Sequence, residues 1–209
     1  FLRFEGLKAI AELIHTYFPS CQTIGCFARV TDVTNKTDVQ LQELRQLGYT
    51  SLTIGVETGD DTALNFMHKG YQAQDIIAQT KRLDQAQISY NFFYLTGIAG
   101  KGRGLEYAQN SAAIFNQTHP QLIGSSMLTV YPQSALYQEI QAGNWQEAGE
   151  LEKLEELAAL IDHLNIPVYY AALGASNAIQ LQGYLPEDKD LLLSALRKVC
   201  QPENEVQLR

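Results

Sequence analysis

The sequence has little cysteine, no long apolar run and no cluster of basic residues. Its three cysteines, Cys21, Cys26 and Cys200, fit neither the spacing of a zinc site nor a framework of disulfides, so we expect three reduced thiols. A membrane-spanning helix needs about 20 consecutive apolar residues, and no run in the sequence is that long. No secretory signal is visible either. These absences favour a cytoplasmic protein without a membrane segment.

Acidic residues outnumber basic ones, 23 against 15, and the net charge is −8. Nonspecific binding to nucleic acid depends on clustered lysine and arginine, which the sequence lacks. A small-molecule substrate is therefore favoured over a nucleic acid, although a local nucleic-acid pocket stays open because net charge averages over the whole surface. Apolar residues make up 45% of the 209 residues and charged residues 18%, which is typical of a globular domain with a sizeable core.

Apolar runs of strand length alternate with helical patterns at the spacing of βα units, about 30 residues. Most of these runs are near-continuous, as in strands that helices cover, and they predict an α/β fold built on a parallel sheet. The predicted strands are 23–30, 51–56, 88–95, 122–130 and 168–172. From residue 174 the pattern changes, and Pro186 with an acidic first turn predicts a helix to Val199. We divide the chain into a core, 1–173, and a C-terminal helical extension, 174–209.

Polar residues and glycines follow three of the predicted strands, and ligands of parallel sheets bind at the carboxyl ends of the strands. Arg29 closes the first strand, Glu57 ends the second, and Gly97 and Gly100 follow the third. The Glu57 carboxylate could accept hydrogen bonds from two neighbouring ribose hydroxyls or from an ammonium group. It could equally cap a neighbouring helix or pair with a lysine. The two glycines would let a ligand lie against bare backbone, but they also suit an ordinary turn.

Other polar residues near these strand ends have ordinary structural interpretations. Asp60 and Asp61 are predicted to cap the short helix that follows the second strand. Lys69 could bind a ligand carboxylate, or it could be a solvated lysine near the end of that helix, where the helix dipole favours a cation. The four histidines show no metal-ligand spacing, so no metal site is predicted within this chain.

Together these residues resemble the radical SAM superfamily, and the likeness extends over nearly the whole chain. The most specific stretch, IGVETGDDTALNFMHKG at 54–70, is similar to the family's fourth-strand segment, G-(L/V/I)-E-S-G-D-(D/S)…M-x-K-G. Three more agree in order: CFARVTDV with the third strand, YLTGIAG with the fifth and MLTVYPQSALYQEI with the sixth. The late stretch SNAIQLQGYLPEDKDLLL resembles uncharacterised members related to oxygen-independent coproporphyrinogen III oxidase.

The resemblance implies a partial six-strand (β/α) barrel that binds S-adenosylmethionine (SAM). In that family the methionine part of SAM binds one iron of a [4Fe–4S] cluster, an external donor supplies one electron, and the 5′-deoxyadenosyl radical that forms abstracts a substrate hydrogen. By position, Glu57 would contact the ribose or the methionine amino group, and Lys69 the methionine carboxylate. Arg29 would make a second polar contact. The residues expected along the adenine are Gly97, Ile98 and Gly100. No catalytic residue follows from the resemblance.

The sequence departs from the family because it lacks the motif C-x-x-x-C-x-x-C that holds the cluster. The family places this motif upstream of the first matching segment, so we expect a truncated chain that lacks the first two βα units and is inactive by itself. Such a truncation would leave the strand at 23–30 as an unprotected edge. We expect the fragment to pair edge to edge or dimerise through that strand, or to be ordered only because the missing parts remain nearby.

The leading expectation is thus the core of a radical SAM enzyme that carries out an oxidoreductase-like reaction on a small molecule. A radical SAM enzyme that modifies RNA is the first alternative, and the acidic charge weakens it. A βα protein that binds SAM or a nucleotide without chemistry is the second. A barrel lyase ranks last, because it would need a lysine or paired carboxylates at the strand ends, where only Glu57 qualifies.

Overall fold

The computed structural model describes residues 2–201, so Phe1 and the last part of the predicted extension, 202–209, lie outside the described residues. Within the described part, six strands form one sheet, in which spatial order follows sequence order. The strands are β1 (Ile24–Ala28), β2 (Tyr49–Glu57), β3 (Ser89–Thr96), β4 (Leu122–Met127), β5 (Val168–Ala172) and β6 (Leu181–Leu185). The first five are parallel, and β6 is antiparallel to β5. The predicted α/β fold with a parallel sheet is confirmed.

Helices precede, connect and follow the strands. They are α1 (Phe4–Tyr17), α2 (Val30–Thr34), α3 (Asp38–Gln46), α4 (Asp61–Phe66), α5 (Ala73–Gln85), α6 (Gly104–Phe115), α7 (Ala135–Gln141), α8 (Glu150–His163) and α9 (Lys189–Val199). The predicted capping box of α3 is present, because Thr37 and Gln40 each accept a hydrogen bond from the backbone of the other. Such reciprocal bonds satisfy backbone donors that the first turn of a helix leaves free.

The connecting helices cover one face of the sheet and leave the other open. When parallel strands follow one another in sequence order, right-handed crossovers place every connecting helix on the same side. The side chains of β2 show this sidedness: Leu52, Ile54 and Val56 are at most 1% exposed, whereas Thr53 and Gly55 between them are partly exposed. We call the uncovered side the open face. It is the face that a closed barrel turns inward.

Apart from shifts of one or two residues at the start of β1 and at both ends of β2 and β3, the strands differ from the predicted ones in three places. β1 ends at Ala28 and not at residue 30, because Arg29 N-caps a short helix and its N–H donates to the Asp32 carboxylate over 2.7 Å. β4 ends at Met127 and not at residue 130. The antiparallel strand β6 is missing from the prediction. Its five residues, LQGYL, carry a glycine in the middle, and a short run interrupted by glycine has a weak strand signal.

Buried aromatic rings hold β3 against the helical layer. Tyr90, Phe92 and Tyr94 are completely buried on the covered face of this strand. The ring centroid of Tyr94 lies 5.9 Å from that of Tyr107 and 6.3 Å from that of Phe115, both on α6. Aromatic pairs of this kind contribute about 0.5–1.5 kcal/mol beyond the area they bury. The carboxyl end of β3 therefore starts from a firmly packed strand.

The described part of the predicted extension, 174–201, joins the same sheet and the same hydrophobic core. Its buried residues Leu181, Leu185, Leu192 and Leu196 belong to the main core cluster. The proposed boundary at residue 173 stays a prediction. No helix within residues 2–201 is long and apolar enough to cross a membrane.

Candidate functional site

The carboxyl ends of β1 to β5 lie along one edge of the sheet, which we call the rim. Glu57, the last residue of β2, has a left-handed backbone with φ 58°, and the pairing with β3 shifts by one residue between Gly55 and Glu57. A left-handed conformation is strained for a residue with a side chain, and such bulges re-aim side chains. Here Oε1 of Glu57 lies 2.9 Å from the point where a Cβ on Gly55 would be. Glycine at position 55 therefore leaves room for the Glu57 carboxylate on the open face.

The chain on either side of Glu57 is braced by buried hydrogen bonds. The Tyr71 hydroxyl donates to the carbonyl of Val56 over 2.7 Å, and burial raises the pKa of Tyr71, so this hydroxyl stays a donor at neutral pH. On the other side, the hydroxyl of Ser111 on α6 accepts from the N–H of Gly59 over 2.9 Å and lies 3.0 Å from the hydroxyl of Thr58. The strained backbone of Glu57 is thus held by its neighbours.

Lys69 lies in the turn between α4 and α5 and forms an ion pair with Glu57. Its Nζ is 3.2 Å from Glu57 Oε1, and the two side chains are 21% and 22% exposed. The structure thus brings together two of the predicted site residues: Glu57, assigned to the ribose or the methionine amino group, and Lys69, assigned to the methionine carboxylate. Their contact with a ligand stays a prediction. Of the alternatives left open for Glu57, the structure shows pairing with a lysine, and that lysine is Lys69.

The aspartates after β2 are structural. Asp60 N-caps α4, because its carboxylate accepts from the N–H of Ala63 over 2.9 Å, and Arg103 lies 3.5 Å from it. Asp61 does not cap α4 as predicted. Its carboxylate accepts from the N–H of Ala73 over 2.6 Å and so serves the first turn of α5. These contacts fix the connection that carries Lys69 back towards the rim.

The four residues after β3, 97–100, form a buried turn that we call the Gly97 turn. Gly97 and Gly100 have φ of 87° and 80°, which glycine adopts without strain. A Cβ on Gly97 would lie 3.1 Å from the Lys153 side chain, and one on Gly100 would lie 2.8 Å from the Trp145 indole nitrogen. Ile98 is 5% exposed and belongs to the core. Internal packing therefore accounts for both glycines, and contact of this turn with adenine stays a prediction.

The Glu156 side chain on α8 accepts hydrogen bonds from the start of the Gly97 turn. The N–H of Gly97 donates to both carboxylate oxygens, over 3.0 and 3.2 Å, and the Tyr94 hydroxyl donates to one of them over 2.7 Å. Burial raises the pKa of Glu156 to about 8, although the bonds from Tyr94 and Gly97 act in the opposite direction. Burial, and next the charge of Glu156, raise the pKa of Tyr94.

The sequence analysis does not single out Glu156, because it considers polar residues at the strand ends and Glu156 lies within a helix. A signal was present: Glu156 lies four residues before Leu160 and three after Lys153, so helical periodicity places all three on one face. All three are at most 2% exposed. Two charged residues on the buried face of a helix need partners, and this requirement could have marked them as part of a polar site.

Lys153 joins the Gly97 turn to a neighbouring cavity. A cavity of about 690 Å³ lies beyond the ends of β4 and β5, and its lining includes Lys153, Glu147, Glu150 and Met127. Lys153 Nζ is 2.9 Å from a carboxylate oxygen of Glu147 and of Glu150. Burial lowers the pKa of Lys153, but the hydrogen bonds to these glutamates outweigh it and the net shift is upward. This polar cavity offers space for a second molecule beside the rim.

Arg29 completes the set of predicted site residues, and the three cysteines lie apart from that set. Arg29 lies at the end of β1 with an exposed side chain, and its contact with a ligand stays a prediction. Cys21 and Cys26 lie before and within β1, whereas Cys200 follows α9. Among residues 2–201, no group of three or more His, Cys, Asp or Glu is arranged to hold a metal ion. The residues described do not fit a [4Fe–4S] cluster.

No protein-family model matches the sequence, and no curated protein is detectably similar in sequence. Solved structures are similar in fold. An N-terminally truncated Elp3 from the archaeon Methanocaldococcus infernus aligns with 85% of this chain at a TM-score of 0.63 and 17% identity. TsrM from Kitasatospora setae, a radical SAM methyltransferase, aligns with 67% of the chain when cobalamin and a [4Fe–4S] cluster are bound, at a TM-score of 0.52 and 15% identity. With tryptophan and the SAM analogue aza-SAM bound, TsrM aligns with 96% of the chain, at a TM-score of 0.52 and 14% identity.

The chain shares its fold with a radical SAM enzyme. Identities this low show the fold alone, so the activity of these proteins is not carried over to this chain. The chain spans 42% of the length of Elp3 and 26% or 41% of the TsrM structures, which is less than half of each. The partial barrel implied by the resemblance is confirmed as a fold.

Proposed function

We propose that this chain carries the SAM-binding part of a radical SAM enzyme. The observation that carries the proposal is the ion pair of Glu57 and Lys69 at the rim, 3.2 Å apart and partly exposed. Ligands of parallel α/β sheets bind at this edge, and the fold is shared with TsrM, whose structures contain a [4Fe–4S] cluster in one case and a SAM analogue in the other.

The charges of the pair match the amino-acid end of SAM. That end carries an ammonium group and a carboxylate on one carbon, so its two charges lie as close together as those of Glu57 and Lys69. Glu57 would accept from the ammonium group and Lys69 would donate to the carboxylate, both as charge-assisted hydrogen bonds. Partial burial strengthens such contacts relative to bulk water. The strained backbone at Glu57, φ 58°, agrees with a functional position, since strain concentrates at ligand sites.

The adenosyl end of SAM would lie towards β3. This strand pairs directly with β2, and the Gly97 turn follows it. Because the Ile98 side chain is in the core, adenine would meet the backbone of 97–100 and not the isoleucine side chain. Arg29, at the end of β1, would supply a second polar contact from the other side of Glu57.

The chemistry of the whole enzyme rests on the resemblance. We infer reductive cleavage of SAM, with an external electron donor, and an oxidoreductase-like reaction on a small molecule. The relation to oxygen-independent coproporphyrinogen III oxidase depends on the late stretch 176–193 alone. RNA modification is the first alternative, and the net charge of −8 weakens it. Binding of SAM without cleavage is the second. A gel shift with bulk tRNA at modest salt distinguishes the RNA alternative, because a small-molecule enzyme should give none.

Calorimetric titration with two ligands tests the proposal. SAM has the amino-acid end, and 5′-methylthioadenosine has the adenosyl end without it. We expect Glu57→Gln and Lys69→Met each to weaken SAM binding about tenfold, as for loss of one charged hydrogen bond, and to leave 5′-methylthioadenosine binding unchanged. Lys8→Met is the matched control, since it breaks the ion pair with Glu43, 2.9 Å long, in the α1–α3 region.

The ratio of the two affinities decides the result. If Lys8→Met weakens SAM binding as much as Lys69→Met does, the pair at the rim has no special role. If the native chain binds neither ligand, the proposed function is wrong.

A further inference from the structure

We propose that Glu156 is a positioning residue that holds the Gly97 turn in the shape that meets the adenosyl part of the ligand. The inference rests on the proposed function. Glu156 lies on α8, far in sequence from the rim residues that the resemblance identifies, and it reaches the rim only through its contact with Gly97.

The contact is directed at one peptide group. The Gly97 N–H donates to Oε1 and Oε2 of Glu156, and the Tyr94 hydroxyl donates to Oε1. Tyr94 lies in the strand that leads into the turn, and Gly97 begins the turn. One carboxyl group therefore fixes both the direction in which β3 ends and the direction in which the turn leaves it.

The segment 145–156, which contains Glu156, also contacts Gly100 and the two residues that follow the turn. The backbone N–H of Lys101 donates to the carbonyl of Gln146 over 2.9 Å, and the N–H of Gly102 donates to the Glu152 carboxylate. The Trp145 indole lies against Gly100. The segment 145–156 thus forms a cradle for the whole turn, and Glu156 is its most buried polar contact.

A buried carboxyl group is expensive, and a purely structural role explains it poorly. Transfer of such a group out of water costs several kcal/mol, and an apolar side chain of similar shape would fill the space beneath the turn more cheaply. An apolar side chain would, however, leave the Gly97 N–H without an acceptor. Without that acceptor, the peptide group of Gly97 could rotate, and residues 97–100 could adopt more conformations. The presence of this costly acceptor beneath Gly97 therefore points to a role in fixing the shape of the turn.

Three variants test the inference in the full chain. Glu156→Ala removes the acceptor, Glu156→Gln keeps an acceptor for Gly97 and should rescue it, and Leu160→Ala is the control from the same buried face of α8. We expect Glu156→Ala to weaken SAM and 5′-methylthioadenosine alike by about tenfold. Their affinity ratio should stay as in the native chain, because Glu57 and Lys69 are untouched. Glu156→Gln should stay within about threefold, and Leu160→Ala should lower the melting temperature without changing either affinity.

Hydrogen exchange provides a readout that needs no ligand. In Glu156→Ala the amides of Gly97 and Ile98 should exchange about tenfold faster or more, while those of β2 keep their native rates. If Glu156→Ala does not fold, Tyr94→Phe removes one hydrogen bond of the set and should show the same pattern at smaller size.

The outcomes separate this inference from the proposed function. Native-like affinities in a folded Glu156→Ala variant would overturn the positioning role, as would exchange that rises equally in Leu160→Ala at 97–98. If the native chain binds no adenosyl ligand but the exchange pattern is as expected, the proposed function fails and Glu156 still orders the turn. If the affinity ratio of the two ligands changes in Glu156→Ala, the residue acts on the amino-acid end and the assignment to the adenosyl end is wrong.

Discussion

Two neighbouring strand ends on the same rim are built in opposite ways. At the end of β2, Glu57 and Lys69 are about one fifth exposed and pair with each other. At the end of β3, Gly97 and its acceptor Glu156 are buried and hydrogen-bonded to each other. The first arrangement presents charges that a ligand can reach, and the second fixes a piece of backbone. The end of β2 thus offers accessible charges, and the end of β3 offers a backbone of fixed shape.

The comparison also separates two reasons for a glycine. Gly55 leaves space for the carboxylate of Glu57, a movable side-chain end, whereas Gly100 leaves space for the Trp145 ring and the carbonyl of Gln146. Substitution at the first should disturb the ligand site, and substitution at the second should disturb the fold.

Stability should fall with rising pH because of Glu156. Its folded pKa of about 8 lies above its ordinary value of 4.5, so the folded chain binds a proton that the unfolded chain has lost. The stability that this proton gives is complete below pH 4.5 and is lost as pH rises from there through 8, on the order of 5 kcal/mol in all. Urea unfolding at several pH values should show this slope in the native chain and a flatter one in Glu156→Gln. Equal slopes would show that Glu156 does not titrate as the burial requires.

Gly100→Ala should lower the free energy of unfolding by about 3 kcal/mol, because the new Cβ adds overlap with Trp145 to the strain of a left-handed backbone. Gly102 is the matched control: its φ is 82°, yet nothing lies within 4 Å of its Cβ position. Gly102→Ala should therefore cost only the strain, about 1 kcal/mol. Urea unfolding measures both. Equal losses would mean that the cradle around the turn is loose.

Gly55→Ala should change ligand binding more than stability. The Cβ would approach Oε1 of Glu57 to 2.9 Å, and the flexible side chain should swing aside at a cost below about 1 kcal/mol. Because the carboxylate then leaves its position, SAM binding should weaken about tenfold. Gly25→Ala on β1, where the nearest atom is 3.8 Å away, should change neither quantity. A Gly55→Ala variant that binds SAM normally would show that the placement of Glu57 is unimportant.

The smallest effect is expected at the edge of the sheet. β1 is an edge strand, and its Phe27 side chain is 77% exposed on the open face. Exposed edges pair with other chains unless they are protected, so we propose weak dimerisation through β1. Light scattering should give a mass that rises with concentration, and Phe27→Lys should reduce the rise. A single mass of 23.3 kDa at all concentrations would contradict this proposal.

The sequence predicts the sheet better than the support of the site. Near-continuous apolar runs, separated by helical patterns, indicated five strands of a parallel sheet. The position of Glu57 directly after one of these strands indicated that it lies on the rim. β6 could not be found because its pattern is short and its pairing with β5 is a tertiary contact. Glu156 could not be paired with Gly97 because 59 residues separate them, and only the folded chain brings them together. The requirement for glycine at 97 and 100 likewise depends on α8 and the loop before it, whose atoms leave no room for a Cβ at either position.

We propose that Glu57 binds the ammonium group of SAM and Lys69 its carboxylate, so that the pair accepts SAM in one orientation. Exchange of the two residues, Glu57→Lys with Lys69→Glu, keeps an ion pair at the same place but reverses it. Calorimetric titration of SAM into the native and the exchanged chains tests the claim directly. We expect the exchanged chain to keep a native melting temperature and to bind SAM at least about tenfold more weakly. Equal affinities for SAM in the two folded chains would show that Glu57 and Lys69 do not bind the charges of SAM as proposed.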